Sequence, residues 1–334
     1  CREYSNPKIL NNLISGNIST KSGGGILVEV SNPEIIGNVI SGNICYKWGG
    51  GIEINGSACL VANNIIADNI STGEYGGYGA GIYILGSSYP TLLNNTFYGN
   101  TGNKQGGGIS CTSGSSAVVK NTIFWNNNAP DGHEIFIDST ASVNLSYSDL
   151  QGGQGEISAN SGGIVVWGAG MVDLDPGFVD PAHGDFHIFY TSPCLNQGDD
   201  AVLVVLTEDI DGNPREAFDA VDIGADEFFK HFYCTESSFP GGEVRASFVG
   251  MPGTALVGFW IGSGILDTPL HCMFGNWYLD FPVLDPIVLP PIPADGVETL
   301  IANVPILPTV PYMIPMQALI GSELTSYAVI NIEP

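Results

Sequence analysis

Three groups of residues have the types and spacing to do chemistry. The tetrapeptide DGHE sets His133 beside Asp131 and Glu134, and an imidazole flanked by carboxylates can serve as a general acid and base. Asp209, Asp211 and Asn213 form a D-x-D-x-N series, an alternation that turns successive side-chain oxygens toward one hard cation. Gly212 permits the tight turn this needs, and Asp222, with Asp226 and Glu227, would complete a cage. Ca²⁺ is thus the one cofactor the sequence suggests, and none is required. Pro214 and the lack of flanking helices depart from an EF-hand, and the alternative is a turn whose side chains bond their own backbone. The third group is aromatic: Trp48, Tyr83, Tyr98 and Trp125 offer ring faces for sugars, with packing inside the molecule as the alternative.

What must position these residues is a repeat. Asparagine recurs at Asn12, Asn38, Asn64, Asn95 and Asn121, and again five residues on at Asn17, Asn43, Asn69, Asn100 and Asn126. The spacings of 26, 26, 31 and 26 describe one unit with an insertion in its third copy. Apolar residues keep phase with each asparagine, three positions before it (Ile9, Ile35, Val61, Leu92, Val118) and two after it (Ile14, Ile40, Ile66, Phe97, Ile123). A further alternation follows each glycine cluster, as in Ile26 and Val28, Ile52 and Ile54, Ile82 and Ile84, Ile109 and Cys111. Period-two segments this short, broken by Gly and Asn, predict strands rather than helices. Stacked coils set like on like, so the aliphatics form a continuous core while each buried Asn amide bonds the next Asn and the turn backbone.

Over residues 6–150 these phrases resemble the right-handed parallel β-helix proteins of the pectate-lyase-like superfamily. The resemblance implies an all-β fold and says little about activity, because many members carry the coil without a catalytic site. The phrases VDLDPGFVDPAHGDFHIFYTSPCLNQGDD and EDIDGNPREAFDAVDIGADEF resemble the terminal segment of secreted bacterial β-helix proteins, often called a choice-of-anchor module. That likeness implies an extracellular or cell-surface location. From residue 229 onward, short Val- and Phe-rich runs between Gly and Pro turns suggest a C-terminal β-sandwich. The expected organisation is coils over 1–150, a terminal segment over 151–228 that closes the helix region, and a sandwich over 229–334.

Composition narrows the function. With 34 acidic residues against 9 basic ones, the formal charge is -25, which argues against nucleic acid as a partner. No stretch is apolar and long enough for a membrane span. Seven cysteines leave at least one without an intramolecular partner; Cys234 and Cys272, alone in the last region, are expected to form a disulfide. A polysaccharide lyase needs a base and cations for the substrate carboxylate, but Arg2, Lys8, Lys21, Lys47, Lys104 and Lys120 scatter over different phases. A glycoside hydrolase needs carboxylates on neighbouring coils. The repeat pairs none, and Gly106 to Gly108 stand where a partner of His133 on coil four would be, so DGHE reads as a turn. The chain therefore reads as a structural and adhesive protein that self-associates end to end, as in a filament, or binds glycans. The alternative is a polysaccharide lyase or glycoside hydrolase.

Overall fold

A short strand ends when its next residue takes positive φ, and in this chain such a residue recurs at the corners. In the computed structural model, which describes residues 1–228 except 74–75, 190 and 216–219 together with strand backbones within 229–334, one corner is formed by Asn11, Gly37, Asn63, Asn94, Asn121 and Tyr147. The next corner is formed by Gly16, Gly42, Asp68, Gly99 and Asn126. Gly and Asn tolerate this left-handed conformation best, which is why they mark the period. Contacts divide the chain into Cys1–Phe228 and Phe229–Pro334.

The first unit is a right-handed parallel β-helix. One sheet stacks seven strands, from Lys8–Leu10 through Glu34–Ile36, Leu60–Ala62, Thr91–Leu93, Ser116–Lys120 and Ser142–Ser146 to Ile164–Trp167. A second stacks six, from Leu13–Ser15 to Asp149–Leu150, and a third stacks four two-residue strands beginning at Ile18–Ser19. The fourth sheet stacks six strands, from Ile26–Glu29 to Ile157–Ala159. The coils therefore continue past residue 150. Inside, Ile14, Ile40, Ile66, Phe97, Phe124 and Leu150 form one column, in which the Phe97 and Phe124 rings stack at 4.7 Å. Ile26, Ile52, Ile82, Ile109, Ile135 and Ile157 form another. Full burial of each such side chain contributes about 1.5–3 kcal/mol.

Two polar columns run through this core. The amide nitrogens of Asn12, Asn38 and Asn64 each donate to the Oδ1 of the next coil's asparagine, at 3.1, 3.0 and 3.0 Å. Those of Asn17, Asn43 and Asn69 do the same at 2.9, 3.0 and 2.9 Å. The register in coil five differs from the sequence expectation. Asn95 N–H donates to Thr122 Oγ1, not to Asn121, and Asn100 Nδ2 donates to Asn127 Oδ1 at 2.8 Å, not to Asn126. The inward aliphatics shift with them, to Val119 and Phe124 from the expected Val118 and Ile123. The cause lies in the turn before coil five. Coil two turns there on Gly56 alone, whereas Ser113 and Gly114 both adopt positive φ, which adds one residue and pushes the period to 27.

Residues 173–228 do not cap the end of the helix; they run back along its side. The corner asparagines hold them. Asn121 Oδ1 accepts the Asp199 amide at 2.9 Å, Asn94 Nδ2 donates to Asp222 O at 3.1 Å, and Asn63 Nδ2 donates to Glu208 O at 2.5 Å. Arg215, with no exposed surface, ties this segment to coil three. Its Nη2 donates to Asn63 Oδ1 at 2.8 Å and to the carbonyls of Ala225 and Gly224 at 2.6 and 3.1 Å, and its Nη1 lies 3.5 Å from Glu227.

In the second unit, Glu243–Val249 pairs antiparallel with Phe232–Cys234 and Val297–Asn303, and Tyr312–Ile320 pairs antiparallel with Leu256–Ile261 and Ala328–Ile332. The expected sandwich packing and the expected Cys234–Cys272 disulfide lie outside the described residues. Among the described residues Cys1, Cys45, Cys59, Cys111 and Cys194 are free thiols.

Candidate functional site

The D-x-D-x-N series, the expected Ca²⁺ cage, folds as a turn. Asp209 Oδ1 accepts the amides of Asp211 and Asn213 at 2.9 and 2.8 Å, and its Oδ2 accepts from Asn213 Nδ2 and the Glu227 amide, both at 3.2 Å. Asp222 accepts the amides of Asn196 and Phe228, each at 2.6 Å. Asp211 instead turns toward His187, and His187 Nε2 lies 2.7 Å from its Oδ2.

The DGHE residues separate. Asp131 accepts from Gln105 Nε2 at 3.2 Å across the coil stack. His133 Nδ1 contacts Glu156, a partner from coil six that the sequence pattern did not reveal, because residues 153–156 form a short 3₁₀ turn outside the repeat. Glu134 points inward and is buried, where its Oε2 accepts from Asn127 Nδ2 at 2.6 Å. Burial pushes its carboxyl up to about 8 against the opposing Asn127 hydrogen bonds. The earlier coils have Gly25, Gly51, Gly81 and Gly108 in this phase. A Cβ at Gly51 would stand 3.1 Å from the Asn69 amide and 2.7 Å from a neighbouring carbonyl oxygen. Glu134 is therefore the terminus of the second Asn column, the group that accepts from its last amide.

The aromatic residues do assemble. Backbone bridges stack Ser22, Trp48, Tyr78, Gln105 and Asp131 in one row on the outer side of the fourth sheet. Parallel to it run Leu27, Glu53, Tyr83, Ser110 and Phe136. The Tyr83 ring is 6.4 Å from Trp48 and 5.9 Å from Tyr78, and its hydroxyl accepts from Thr112 Oγ1 at 3.2 Å. Lys47 Nζ lies 5.5 Å over the Trp48 ring, and Lys104 Nζ lies 5.6 Å over Tyr78. Such placements favour both partners, since each ring face is electron-rich. Glu53 is buried in the same row, and its Oε2 has no hydrogen-bond partner. Burial raises its carboxyl to about 7, opposed by hydrogen bonds from Ser22 and Gly23.

Of the four aromatics singled out in the sequence, Trp48 and Tyr83 belong to this cluster. Tyr98 packs instead beneath the returning segment, 5.8 Å from Phe178 and 5.1 Å from Phe186. Trp125 pairs in register with Tyr98 on the second sheet, away from the cluster. Tyr78 escaped notice because four extra residues separate it from Ser71: Ile70 aligns with Ile44 at a spacing of 26, but Tyr78 aligns with Trp48 at 30. The insertion therefore borders the ring cluster.

The family model for a right handed beta helix region matches residues 1–176. No curated protein and no solved structure matches the chain.

Proposed function

Because this chain belongs to the right-handed β-helix family, we propose that it is an extracellular or cell-surface structural protein that adheres to carbohydrate through the fourth sheet of its coils. The observation that carries the reading is the cluster of Trp48, Tyr78 and Tyr83 with Lys47 and Lys104 at its edges. Trp48 and Tyr78 are partly exposed, on adjacent coils, and held by backbone pairing rather than by a flexible loop. A sugar ring could displace a lysine arm, lie on the aromatic face and receive hydrogen bonds from the ammonium group. The overall charge of -25 disfavours long polyanions, so a neutral polysaccharide fits best.

A glycoside hydrolase would need two carboxylates sharing one open cleft. Glu134 is committed to the interior, and Glu53 sits beneath the rings with no second carboxylate in its row among the described residues. Affinity electrophoresis of the full chain through gels containing neutral or uronate-rich polysaccharides tests the proposal. Retardation by a neutral polymer is expected, weakened at least tenfold by Trp48→Ala with Tyr78→Ala. Equal mobility in every gel, or an unaffected double variant, would refute it.

A further inference from the structure

A second constellation lies at the opposite side of the coils from the ring cluster, and it is independent of the carbohydrate reading. Strand Asp185–Ile188 presents His187, the turn after Asp209 presents Asp211, and the stretch before Phe228 presents Asp226. One donor atom from each of the three lies within 4.8 Å of the other two. Together they border a cavity of about 370 Å³ between the returning segment and coils one to three, walled also by Asn12, Gly37, Ile65 and Phe186.

Two features distinguish this group from an ordinary acidic surface. Asp226 is 5% exposed, its Oδ2 accepts the Ile188 amide at 3.1 Å, and its Oδ1 has no hydrogen-bond partner among the described residues. A buried carboxylate oxygen left without a donor costs free energy unless a proton or a cation answers it, and a cation can do so while holding the neighbouring ligands as well. The second feature is the orientation of the imidazole. Asp185 Oδ1 holds His187 Nδ1 at 2.5 Å, which leaves Nε2 directed at Asp211 and Asp226. A carboxylate on the far ring nitrogen is the support that metal-bound histidines ordinarily have.

We propose that His187 Nε2 and the carboxylates of Asp211 and Asp226 bind one divalent cation of the Zn²⁺ or Mn²⁺ class, with its remaining coordination positions open to the cavity. One nitrogen and two carboxylate ligands suit borderline ions, whereas Ca²⁺ takes an all-oxygen shell of six to eight ligands. The site differs from the expected D-x-D-x-N cage in its histidine ligand and in its ion, and shares Asp211 and Asp226 with it. An ion here would join three stretches of the returning segment that meet at no other side-chain cluster of this kind among the described residues.

The test uses the full chain after dialysis against a chelator and then against metal-free buffer. Titration calorimetry with Zn²⁺, Mn²⁺ and Ca²⁺ should give one equivalent of Zn²⁺ or Mn²⁺ per chain, bound more tightly than Ca²⁺. His187→Gln and Asp226→Asn should each weaken that binding at least 100-fold, while His133→Gln, at a separate histidine–carboxylate contact, should leave it unchanged. Because Asp226→Asn alters a buried group, the wild-type chain is also titrated with Co²⁺, whose visible ligand-field absorption reports nitrogen and oxygen ligation without any variant. No uptake by the wild-type chain, preference for Ca²⁺, or unchanged binding in a folded His187→Gln chain would each overturn the assignment.

Discussion

Replacing Asn127 by Ala removes four hydrogen bonds from the interior of coil five. Its Oδ1 accepts the Asn100 amide at 3.0 Å and Asn100 Nδ2 at 2.8 Å, and its Nδ2 donates to Phe97 O at 3.1 Å and to Glu134 at 2.6 Å. Asn100 Nδ2 keeps a second acceptor, Ile66 O at 2.7 Å, but the Asn100 backbone N–H loses the side-chain acceptor given for it. An orphaned buried donor costs about 1–3 kcal/mol and each ordinary bond lost costs about 1 kcal/mol, so the substitution should cost roughly 3–5 kcal/mol. The neighbouring Asn126 faces solvent at φ 58°, the corner position that Gly16, Gly42 and Gly99 hold in other coils. Asn126→Gly gives up one bond to Tyr98 and relieves the left-handed strain, for a net change within about 1 kcal/mol. Urea unfolding followed by Trp fluorescence should place the Asn127→Ala midpoint about 1–2 M below wild type and leave Asn126→Gly close to it. Hydrogen exchange should locate the loss in coils four and five, since stability in a solenoid is set between neighbours. Equal losses at the two positions would refute the 27-residue register and with it the account of the Asn column.

Stability should also fall as pH rises through neutrality. Burial raises Glu134 to about 8, and Glu53 and Asp149 each to about 7. A carboxyl raised on folding contributes fully below its unfolded value near 4.5 or 3.8 and loses that contribution as pH climbs through the folded value. For Glu134 the span from 4.5 to about 8 is worth roughly 5 kcal/mol at about 1.36 kcal/mol per pH unit. Melting temperature should therefore drop between pH 5 and pH 8.5, and Glu134→Gln should flatten the drop; a profile that Glu134→Gln leaves unchanged would refute this assignment. Arg215→Met should cost about 3–5 kcal/mol by leaving Glu227 buried without its cation, and limited proteolysis should then cut within residues 196–226 while sparing the coils. Cleavage at the wild-type rate would show that the returning segment is held by other means.

The coil was legible because stacking forces each position to see its own kind, so identity repeats wherever structure does. The misplaced rung at Asn121 and Asn126 has the same origin. Asparagine serves this fold in two ways, as an inward amide that bonds along the stack and as a corner residue that accepts positive φ, and in coils three and four the two stand side by side, as in Asn63–Asn64 and Asn94–Asn95. A one-residue lengthening of a turn then moves the phase by one and leaves an asparagine in the expected place. Composition cannot separate the two uses, whereas burial and φ do.

The returning segment was illegible for a different reason. Its contacts join residues more than 75 apart, as in Asn121 with Asp199 and Asn63 with Arg215, and no period links them. What the sequence did carry was a column of corner residues, Asn63, Asn94 and Asn121, whose side chains an isolated coil would turn to solvent. Instead they are buried and bonded to backbone from residues 199–224. The same segment consumes most of its own acidic residues internally: Asp209 and Asp222 accept backbone amides, and Glu227 faces Arg215. Acidity that looked like a calcium signature is thus largely a folding device, in which carboxylates replace the hydrogen bonds that a turn-rich chain cannot make to itself. Asp226 and Glu227 each keep one buried oxygen without a hydrogen-bond partner among the described residues, but Glu227 faces Arg215 whereas Asp226 faces His187 and Asp211, and that setting is the reason to look for an ion there.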